Sequence, residues 1–360
     1  MSAATVLRGA HAYPSAADDT SADAVIAGRR RRARRRIWVV AVLLIAVVAV
    51  YTTTLLVGNT FYSLGDVVRV IFGEQVPGAS FTVGRLRLPR ATMGVLAGLA
   101  FGMAGVTFQS LLRNPLASPD IIGISSGASA AAVFGIVFLS LSGGAVSALA
   151  LVGALATALA IYLLSHRGGF AGTRLILIGI GVAAMLNAVV TYVLSQAAAW
   201  DLQAAMRWIS GSLNGATWEA VLPLAVAAAV LVPTMLLQGR SLDALRLGDD
   251  TAAALGVRVG AVRLILIVGA VALLAFATAA AGPIAFVAFM AGPIAARLVG
   301  PGAGLLLPSG LVGALLVLLA DLAGQFAFDG RYPVGVVTGV LGAPYLIYLL
   351  IRTNRAGGAL

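Results

Sequence analysis

Long apolar runs that carry almost no charge constrain this chain more than any other feature of its sequence. About ten such runs, each roughly 18 to 25 residues long, follow one another along 360 residues, of which 60% are hydrophobic and 10% are charged. A run of this length can cross the hydrocarbon core of a bilayer as a helix. A transmembrane barrel would instead show shorter segments of alternating polarity. The sequence therefore predicts an all-α integral membrane protein with about ten transmembrane helices.

The predicted spans divide the chain into three parts. They lie near residues 37–57, 91–111, 120–140, 144–165, 174–196, 219–238, 261–281, 283–299, 304–323 and 333–352. The transmembrane domain is thus residues 37–352. It follows a tail at 1–36, which is polar, then basic, and expected to be disordered, and it precedes a short tail at 353–360. An even number of spans places both termini on one side, which the excess of arginine marks as cytoplasmic.

A run of arginines at Arg29–Arg36 directly precedes the first span. Such a run is typical of a signal that retains the N-terminus in the cytoplasm, and it also attracts anionic lipid headgroups. Nucleic-acid binding is the alternative, but no aromatic or folded basic module accompanies the run. We therefore expect membrane lipid, and no nucleic acid, as a partner of this segment.

Composition excludes several classes of site. The chain has no cysteine, so it has no disulfide and no thiolate metal site. All 24 basic residues are arginine, and a P-loop needs a lysine on the nucleotide phosphates, so another chain must hydrolyse any ATP that drives this one. Carboxylates are scarce in the spans, which argues against coupling to protons or sodium. We expect no cofactor and no metal ion in this chain.

A charged, amphipathic segment at residues 242–257 separates two apolar runs. A polar island of this kind cannot lie within lipid. The roughly helical spacing of its leucines and alanines predicts one short surface helix with an apolar face. Such a helix either lies on the lipid headgroups or offers its apolar face to a partner, and the pattern alone leaves both interpretations open.

The segment 58–90, which the predicted topology places outside as a loop, opposes the usual charge bias because it carries four arginines against two acidic residues. Three of them, Arg85, Arg87 and Arg90, cluster around Pro89, which fixes the local backbone. Snorkelling of the side chains to the headgroups would explain them without a partner. The clustering favours the other interpretation, in which an acidic partner docks here.

Helix-breaking residues interrupt the second, third and last spans. They include the segments 114–120 and 123–128 and the last-span residues Pro333, Gly335 and Thr338. Irregular backbone at membrane depth is tolerated only inside protein or beside water. These segments therefore indicate a lined pathway.

A series of short motifs covers roughly residues 60–352. They are Arg87-Leu88-Pro89-Arg90, Arg113–Pro119, Gly123–Ala128, Trp208–Leu213, Leu245–Asp249 with Ala253–Val257, Gly282–Val287, Pro333–Gly339 and Gly342–Pro344. In this order they resemble the permease subunits of iron-siderophore and vitamin B12 ABC importers (FecCD-type). The resemblance implies a type II importer fold and a non-catalytic subunit in the bacterial inner (cytoplasmic) membrane.

The resemblance also implies the partners of the chain. These are a second permease subunit, related but distinct, two cytoplasmic ATPase subunits and an extracytoplasmic substrate-binding protein. The implied cargo is a ferric siderophore, moved inward by alternating access. Haem or cobalamin is the alternative cargo, and a stand-alone secondary transporter is the alternative class.

Particular residues receive roles from the same resemblance. Arg87 and Arg90, with Arg85 beside them, fall where the family's permeases meet the binding protein. A gate residue is expected at Thr173, in the inside loop before the fifth span, and pathway residues are expected at Asn187 in the fifth span and at Pro333, Gly335 and Thr338 in the last span. The segment 242–257 becomes the coupling helices that rest on the ATPase, through Leu242, Leu245, Leu247, Gly248, Asp249, Asp250, Ala253, Leu255 and Gly256.

Overall fold

The computed structural model describes residues 17–119, 123–165, 172–300 and 304–356, and within these ranges it is helical, without a strand. The elements in chain order are α1 (Ala17–Leu56), α2 (Leu64–Ile71), α3 (Ala79–Phe81), a π-helical turn (Thr82–Arg87), α4 (Leu88–Leu111), α5 (Ile124–Leu139), α6 (Gly144–Ser165), α7 (Gly172–Ser195), α8 (Ala199–Ile209), α9 (Trp218–Leu237), α10 (Gly239–Leu245), α11 (Asp249–Ala254), α12 (Val259–Ala281), α13 (Val287–Val299), α14 (Leu306–Phe326) and α15 (Val334–Ala356).

The prediction of an all-α membrane protein is confirmed. Eight helices in the described ranges are long and apolar enough to cross a bilayer, and the shorter apolar helices α5 and α13 bring the number to the predicted ten. The boundary expected at Gly282-Pro283 is present, because α12 ends at Ala281 and Gly282 adopts a left-handed φ of 71°. A glycine tolerates this conformation without steric cost.

The N-terminal tail differs from the prediction. Residues 17–36, expected to be disordered, form the first part of α1, which runs without a break into the first span. Residues 1–16 lie outside the described part of the chain. Alanine and arginine are among the best helix formers. Extending a helix that the membrane span has already nucleated adds one hydrogen bond for each residue that is fixed.

Helix α9 runs from one end of the bundle to the other. At its start, Trp218 donates a hydrogen bond from Nε1 to the carbonyl of Gly84, 3.2 Å away, which places it beside the π-helical turn and α2. At its other end, Leu237 leads through one residue into α10. We call these opposite ends of the bundle the α2 end and the α10 end.

Helix α4 forms the centre of the bundle and packs against α14, α12, α13 and α9. Its glycines allow this packing. Side chains at Gly98 and Gly102 would collide with the backbone of α14, and one at Gly105 would collide with the carbonyl group of Ala288 in α13. Small residues at this spacing let membrane helices approach closely enough for their backbones to touch.

Helices α7 and α15 are among the less buried spans of the single chain. The buried share of the most apolar window is 17% in α7 and 33% in α15, compared with 22% in α1, 28% in α6 and α9, and 78% in the segment that contains α4. Exposed apolar side chains such as Met185, Tyr192 and Val340 lie on them. Both helices therefore keep faces that lipid or another chain must cover.

Replacing Gly105 with alanine should destabilise the fold. The added methyl group meets the Ala288 carbonyl, which cannot move without the whole of α13, so we expect an overpacking cost of about 1–3 kcal/mol. The midpoint of thermal unfolding of the purified chain in mild detergent measures this. The matched control is Gly260→Ala in α12, where a new Cβ has no neighbour within 4 Å. Equal midpoints for the two variants would contradict the packing account.

Candidate functional site

The three arginines predicted for docking lie on a helical segment and not in a loop. Arg85 and Arg87 belong to the π-helical turn, and Arg90 lies in the first turn of α4. The apolar span predicted to begin at residue 91 is therefore preceded by further helical turns from Ala79 onward. Pro89 does not interrupt this helix, because the first turn of α4 tolerates a residue without an N–H.

The Arg87 guanidinium closes the C-terminus of α1. Nη1 donates to the carbonyls of Leu55 at 2.8 Å and Leu56 at 3.1 Å, and Nη2 donates to that of Thr60 at 2.6 Å. The cation also lies over the Tyr62 ring, 5.0 Å from its centroid. These partners are neutral, so Arg87 is held in place while its charge stays uncompensated.

Arg90 forms a bidentate ion pair with Asp321 of α14. Nε lies 2.9 Å from Oδ2 and Nη2 lies 2.8 Å from Oδ1, and the two side chains are 19% and 3% exposed. Nη1 donates to Asn214, and Gln325 donates to Asp321. The acidic group buried in this span is therefore fully paired, and the Arg90 charge is neutralised within the chain.

Arg85 is the exposed member of the three. No ion pair involves it among the described residues, and its side chain lines a cavity of about 530 Å³ at the α2 end, together with Glu74, Trp218 and Glu219. Arg85 and Arg87 are thus the members of the predicted docking cluster that form no ion pair among the described residues.

The polar segment at 242–257 forms two short helices where the sequence predicts one. Gly248, with a φ of 120°, separates α10 from α11. The nine residues predicted to couple to an ATPase accordingly fall into two groups. Leu242 and Leu245 are buried against the bundle. The second group lies on the exposed side of the two helices. It contains the half-buried Gly248 and the exposed residues Leu247, Asp249, Asp250, Ala253, Leu255 and Gly256.

Asp249 connects these short helices to the bundle. Its Oδ1 lies 2.8 Å from Nη2 of Arg113, just after α4, and its Oδ2 lies 2.7 Å from Nη2 of Arg263 in α12. Arg113 also donates from Nε to the carbonyl of Leu245 at 3.3 Å. One carboxylate therefore joins α11 to the ends of two membrane helices, a role that the sequence did not reveal for the two arginines.

A cavity of about 620 Å³ lies within the membrane domain. Four serines, Asn187 and two phenylalanines line it, and no charged side chain is among the described residues of its wall. The polar and aromatic members are Ser118, Ser125, Ser126, Ser129, Asn187, Phe286 and Phe289. The irregular linker between α12 and α13 contributes Pro283 to Phe286, so the break in that helix pair opens the space.

The predicted pathway residues do not all reach this cavity. Asn187 lines it, whereas Gly335 packs against the Ser210 carbonyl and donates its N–H to the Gly211 carbonyl at 3.0 Å. Thr338 is buried and donates to the Gly335 carbonyl at 3.1 Å. Pro333, half-buried at the start of this turn, is likewise absent from the cavity wall.

The predicted gate residue Thr173 belongs to the first turn of α7, and its side chain lies outside the described residues. The segments 114–120 and 123–128, which the sequence indicated as lining a pathway, contribute Ser118, Ser125 and Ser126 to the cavity wall. The sequence reasoning missed Ser129, although it lies one helical turn after Ser125 in an otherwise apolar helix and therefore shares its face.

Comparisons with known proteins agree with this arrangement. Residues 42–352 match the FecCD transport family. The ferric enterobactin transport system permease protein of Escherichia coli is 43% identical over 290 residues, which cover 80% of this chain and 88% of the relative. The achromobactin transport system permease protein of Dickeya dadantii is 40% identical over 303 residues, covering 83% and 87%.

A solved structure shares the fold as well. It is a metal-chelate type ABC transporter in an inward-facing conformation, which superimposes with a TM-score of 0.78 at 26% identity and covers 87% of this chain and 98% of that one. The sequence match and the structural match both extend over nearly the whole membrane domain. The chain therefore belongs to the FecCD transport family of ABC transporter permeases.

Proposed function

We propose that this permease imports ferric siderophores. The cavity carries the proposal. A bare metal cation would need carboxylate or carbonyl ligands, whereas a space of about 620 Å³ walled by serine hydroxyls and phenylalanines suits a bulky chelate whose own atoms already ligate the iron. The names of the relatives support the same cargo, since they state transport of ferric enterobactin and achromobactin.

Membership of the FecCD transport family supports a complete transporter with a second permease subunit, related but distinct, and the exposed faces of α7 and α15 are available for that contact. Two ATPase subunits hydrolyse the ATP on the α10 end, and a substrate-binding protein delivers the chelate to the α2 end. The arginine run supports this sidedness. Arg35 donates from Nε to the Leu298 carbonyl at the end of α13, so the run lies at the α10 end. The usual retention of arginine-rich segments in the cytoplasm supports a cytoplasmic location for this end and for both termini.

Cells that lack this chain should fail to import a ferric siderophore. The measurement is accumulation of radioactive iron supplied as ferric enterobactin or ferric achromobactin. Uptake of cobalamin is measured in parallel as the alternative cargo, because a cobalamin import permease of Halobacterium salinarum is 35% identical. Uptake should return with the intact chain and stop when the ATPase partner is inactivated. Uptake that survives loss of the ATPase but collapses with the proton gradient would overturn the proposal in favour of a secondary transporter.

The binding protein docks at the α2 end through Arg85 and Arg87, which form no ion pair among the described residues; Glu74 and Glu219 share only the cavity that Arg85 lines. The resemblance to the family assigns contacts to Arg87 and Arg90. The geometry supports Arg87 as a rigidly held cation and gives Arg90 a structural role, because its ion pair with Asp321 ties α4 to α14. Acidic groups on the partner would complement the two remaining cations.

Reversing the charge at Arg85 should weaken docking without affecting the fold. Because Arg85 is exposed and unpaired, Arg85→Glu should lower the affinity for the binding protein about tenfold, mainly through a slower association rate. Surface plasmon resonance on the transporter in nanodiscs measures this, at low and high salt. The matched control is Arg69→Glu, since Arg69 lies at the same end but is paired with Glu74 at 2.6 Å.

Arg90→Gln distinguishes a role in docking the binding protein from a role in stabilising the fold. It leaves the Asp321 carboxylate buried without its partner, which costs about 3–5 kcal/mol, so any loss of docking should accompany a loss of stability. Unchanged affinity in Arg85→Glu, or an equal loss in Arg69→Glu, would refute docking through Arg85.

The ATPase pushes on the exposed side of α10 and α11, and Asp249 transmits this movement to α4 and α12. The apolar residues Leu247 and Leu255 are exposed in the single chain, at 67% and 65%, as expected of a face that a partner covers.

Asp249→Asn should uncouple ATP hydrolysis from transport. It removes two ion pairs in which Asp249 is about half exposed, so the stability should fall by less than about 2 kcal/mol. The amount of chelate moved per ATP hydrolysed in proteoliposomes should fall clearly more than the ATPase rate. Asp329→Asn is the matched control, because Asp329 is also exposed, lies outside α10 and α11, and takes part in no ion pair among the described residues. Equal ratios in both variants would contradict the coupling role.

A further inference from the structure

The first part of α1 presents an unusual concentration of charge. Seven of the eight residues 29–36 are arginine, and we call them the arginine collar. All eight residues are exposed, and no acidic residue follows until after α1 has ended. Successive residues of a helix are rotated by about 100°, so the seven guanidinium groups project on every side of the axis. The collar is therefore a ring of positive charge.

The depth of the collar relative to the membrane follows from the continuity of α1. The apolar span begins directly after it with Ile37 and Trp38, which are 68% and 61% exposed. Tryptophan is enriched at membrane interfaces. Eight helical residues rise about 12 Å, which exceeds the headgroup layer on one side of a bilayer. The arginines nearest Ile37 thus lie at the level of the lipid phosphates, and the others lie just beyond.

Two members of the collar anchor it to the bundle. Arg35 donates from Nε to the carbonyl of Leu298 at 3.2 Å and from Nη2 to that of Arg297 at 3.4 Å, at the end of α13. Arg36 lies so close to Gly304 that a side chain there would collide with it. The helix is therefore held in one position at the α10 end, which lowers the ordering cost of binding a ligand. Because the hydrogen-bonded carbonyls are neutral, they leave the Arg35 charge available.

We propose that the arginine collar is a binding site for anionic phospholipid headgroups. Guanidinium groups pair with phosphate oxygens through two parallel hydrogen bonds, and each basic residue near an anionic surface contributes about 1 kcal/mol. Arg35 and Arg36 face the bundle, where Arg36 also lies near the carboxylate of Asp243. The other five arginines are exposed and form no ion pair among the described residues, so their guanidinium groups are available to the surrounding lipid headgroups. The proposal does not depend on the cargo or on the docking of the binding protein.

The test compares the full chain in nanodiscs of phosphatidylcholine alone and with phosphatidylglycerol. A fivefold variant replaces the unanchored arginines and leaves Arg35 and Arg36 intact; it is Arg29→Gln, Arg30→Gln, Arg31→Gln, Arg32→Gln and Arg34→Gln. Glutamine has a similar helix propensity. The control carries lysine at the same five positions and keeps the charge. Native mass spectrometry counts the retained lipids of each kind.

The native chain should retain phosphatidylglycerol over phosphatidylcholine. The glutamine variant should lose this preference about tenfold or more, and the lysine variant should keep most of it. The thermal midpoint of the native chain should also be higher with phosphatidylglycerol, by mass action on the folded state. Equal retention by the native chain and the glutamine variant would overturn the proposal. Loss of the co-purifying ATPase in the glutamine variant with unchanged lipid retention would also overturn it, in favour of a protein partner.

Loss of positive charge could instead invert the insertion of the chain. The absence of cysteine allows a single cysteine at the C-terminus to report orientation through labelling from one side. A milder variant, Arg30→Gln with Arg32→Gln, retains five arginines in the collar and serves if the fivefold variant inverts. It should show a smaller loss of preference, and no loss at all would refute the site.

Discussion

Backbone contact between α4 and its neighbours is the interaction on which the rest of this structure depends. In lipid, apolar side chains gain little by leaving one apolar environment for another, so helices associate through close packing. Gly98, Gly102 and Gly105 permit that packing against α14 and α13. Both ends of the same helix are then tied by ion pairs, Arg90 to Asp321 at the α2 end and Arg113 to Asp249 at the α10 end. A single rigid helix therefore connects the two surfaces at which partners are proposed to act.

Irregular backbone produces the cavity, and its polar groups are satisfied locally. Where α12 ends, the Ala281 carbonyl accepts from the Ser212 N–H at 2.8 Å, and the Gly211 carbonyl accepts from Gly335. Phe286 adopts a left-handed φ of 63°, which is costly for a residue with a side chain, and its ring lines the cavity. Non-helical backbone at membrane depth persists when it is enclosed or lines a cavity. Gly335 and Thr338 serve this junction more directly than they serve the cavity wall.

Sequence patterns predicted the features that depend on local composition. Apolar runs gave the positions of the membrane helices, and the Gly282-Pro283 dipeptide gave the break after α12. They failed where the outcome depends on distant contacts or on a single dihedral angle. Arg90 and Asp321 are 231 residues apart, so no local pattern pairs them. The left-handed turn at Gly248 splits a segment whose leucine spacing predicts one helix, and the order of residues 17–36 follows from the span that continues them.

The described charged side chains relevant to function lie at the two ends of the bundle and not in the wall of the membrane cavity. The membrane cavity has no charged side chain among its described lining residues, so it offers a chelate no strong electrostatic binding and no reason to move in one direction. Charged groups lie at the two ends instead: Arg85 and Arg87, which form no ion pair among the described residues, and Asp249 with its two arginine partners. A cavity wall that binds the chelate weakly also releases it readily. A wall that bound the chelate tightly in both the outward-facing and the inward-facing conformation would retain it. Direction must therefore be imposed at the ends, where partners are proposed to bind, and the rigid packing of α4 is the physical connection through which one end can respond to the other.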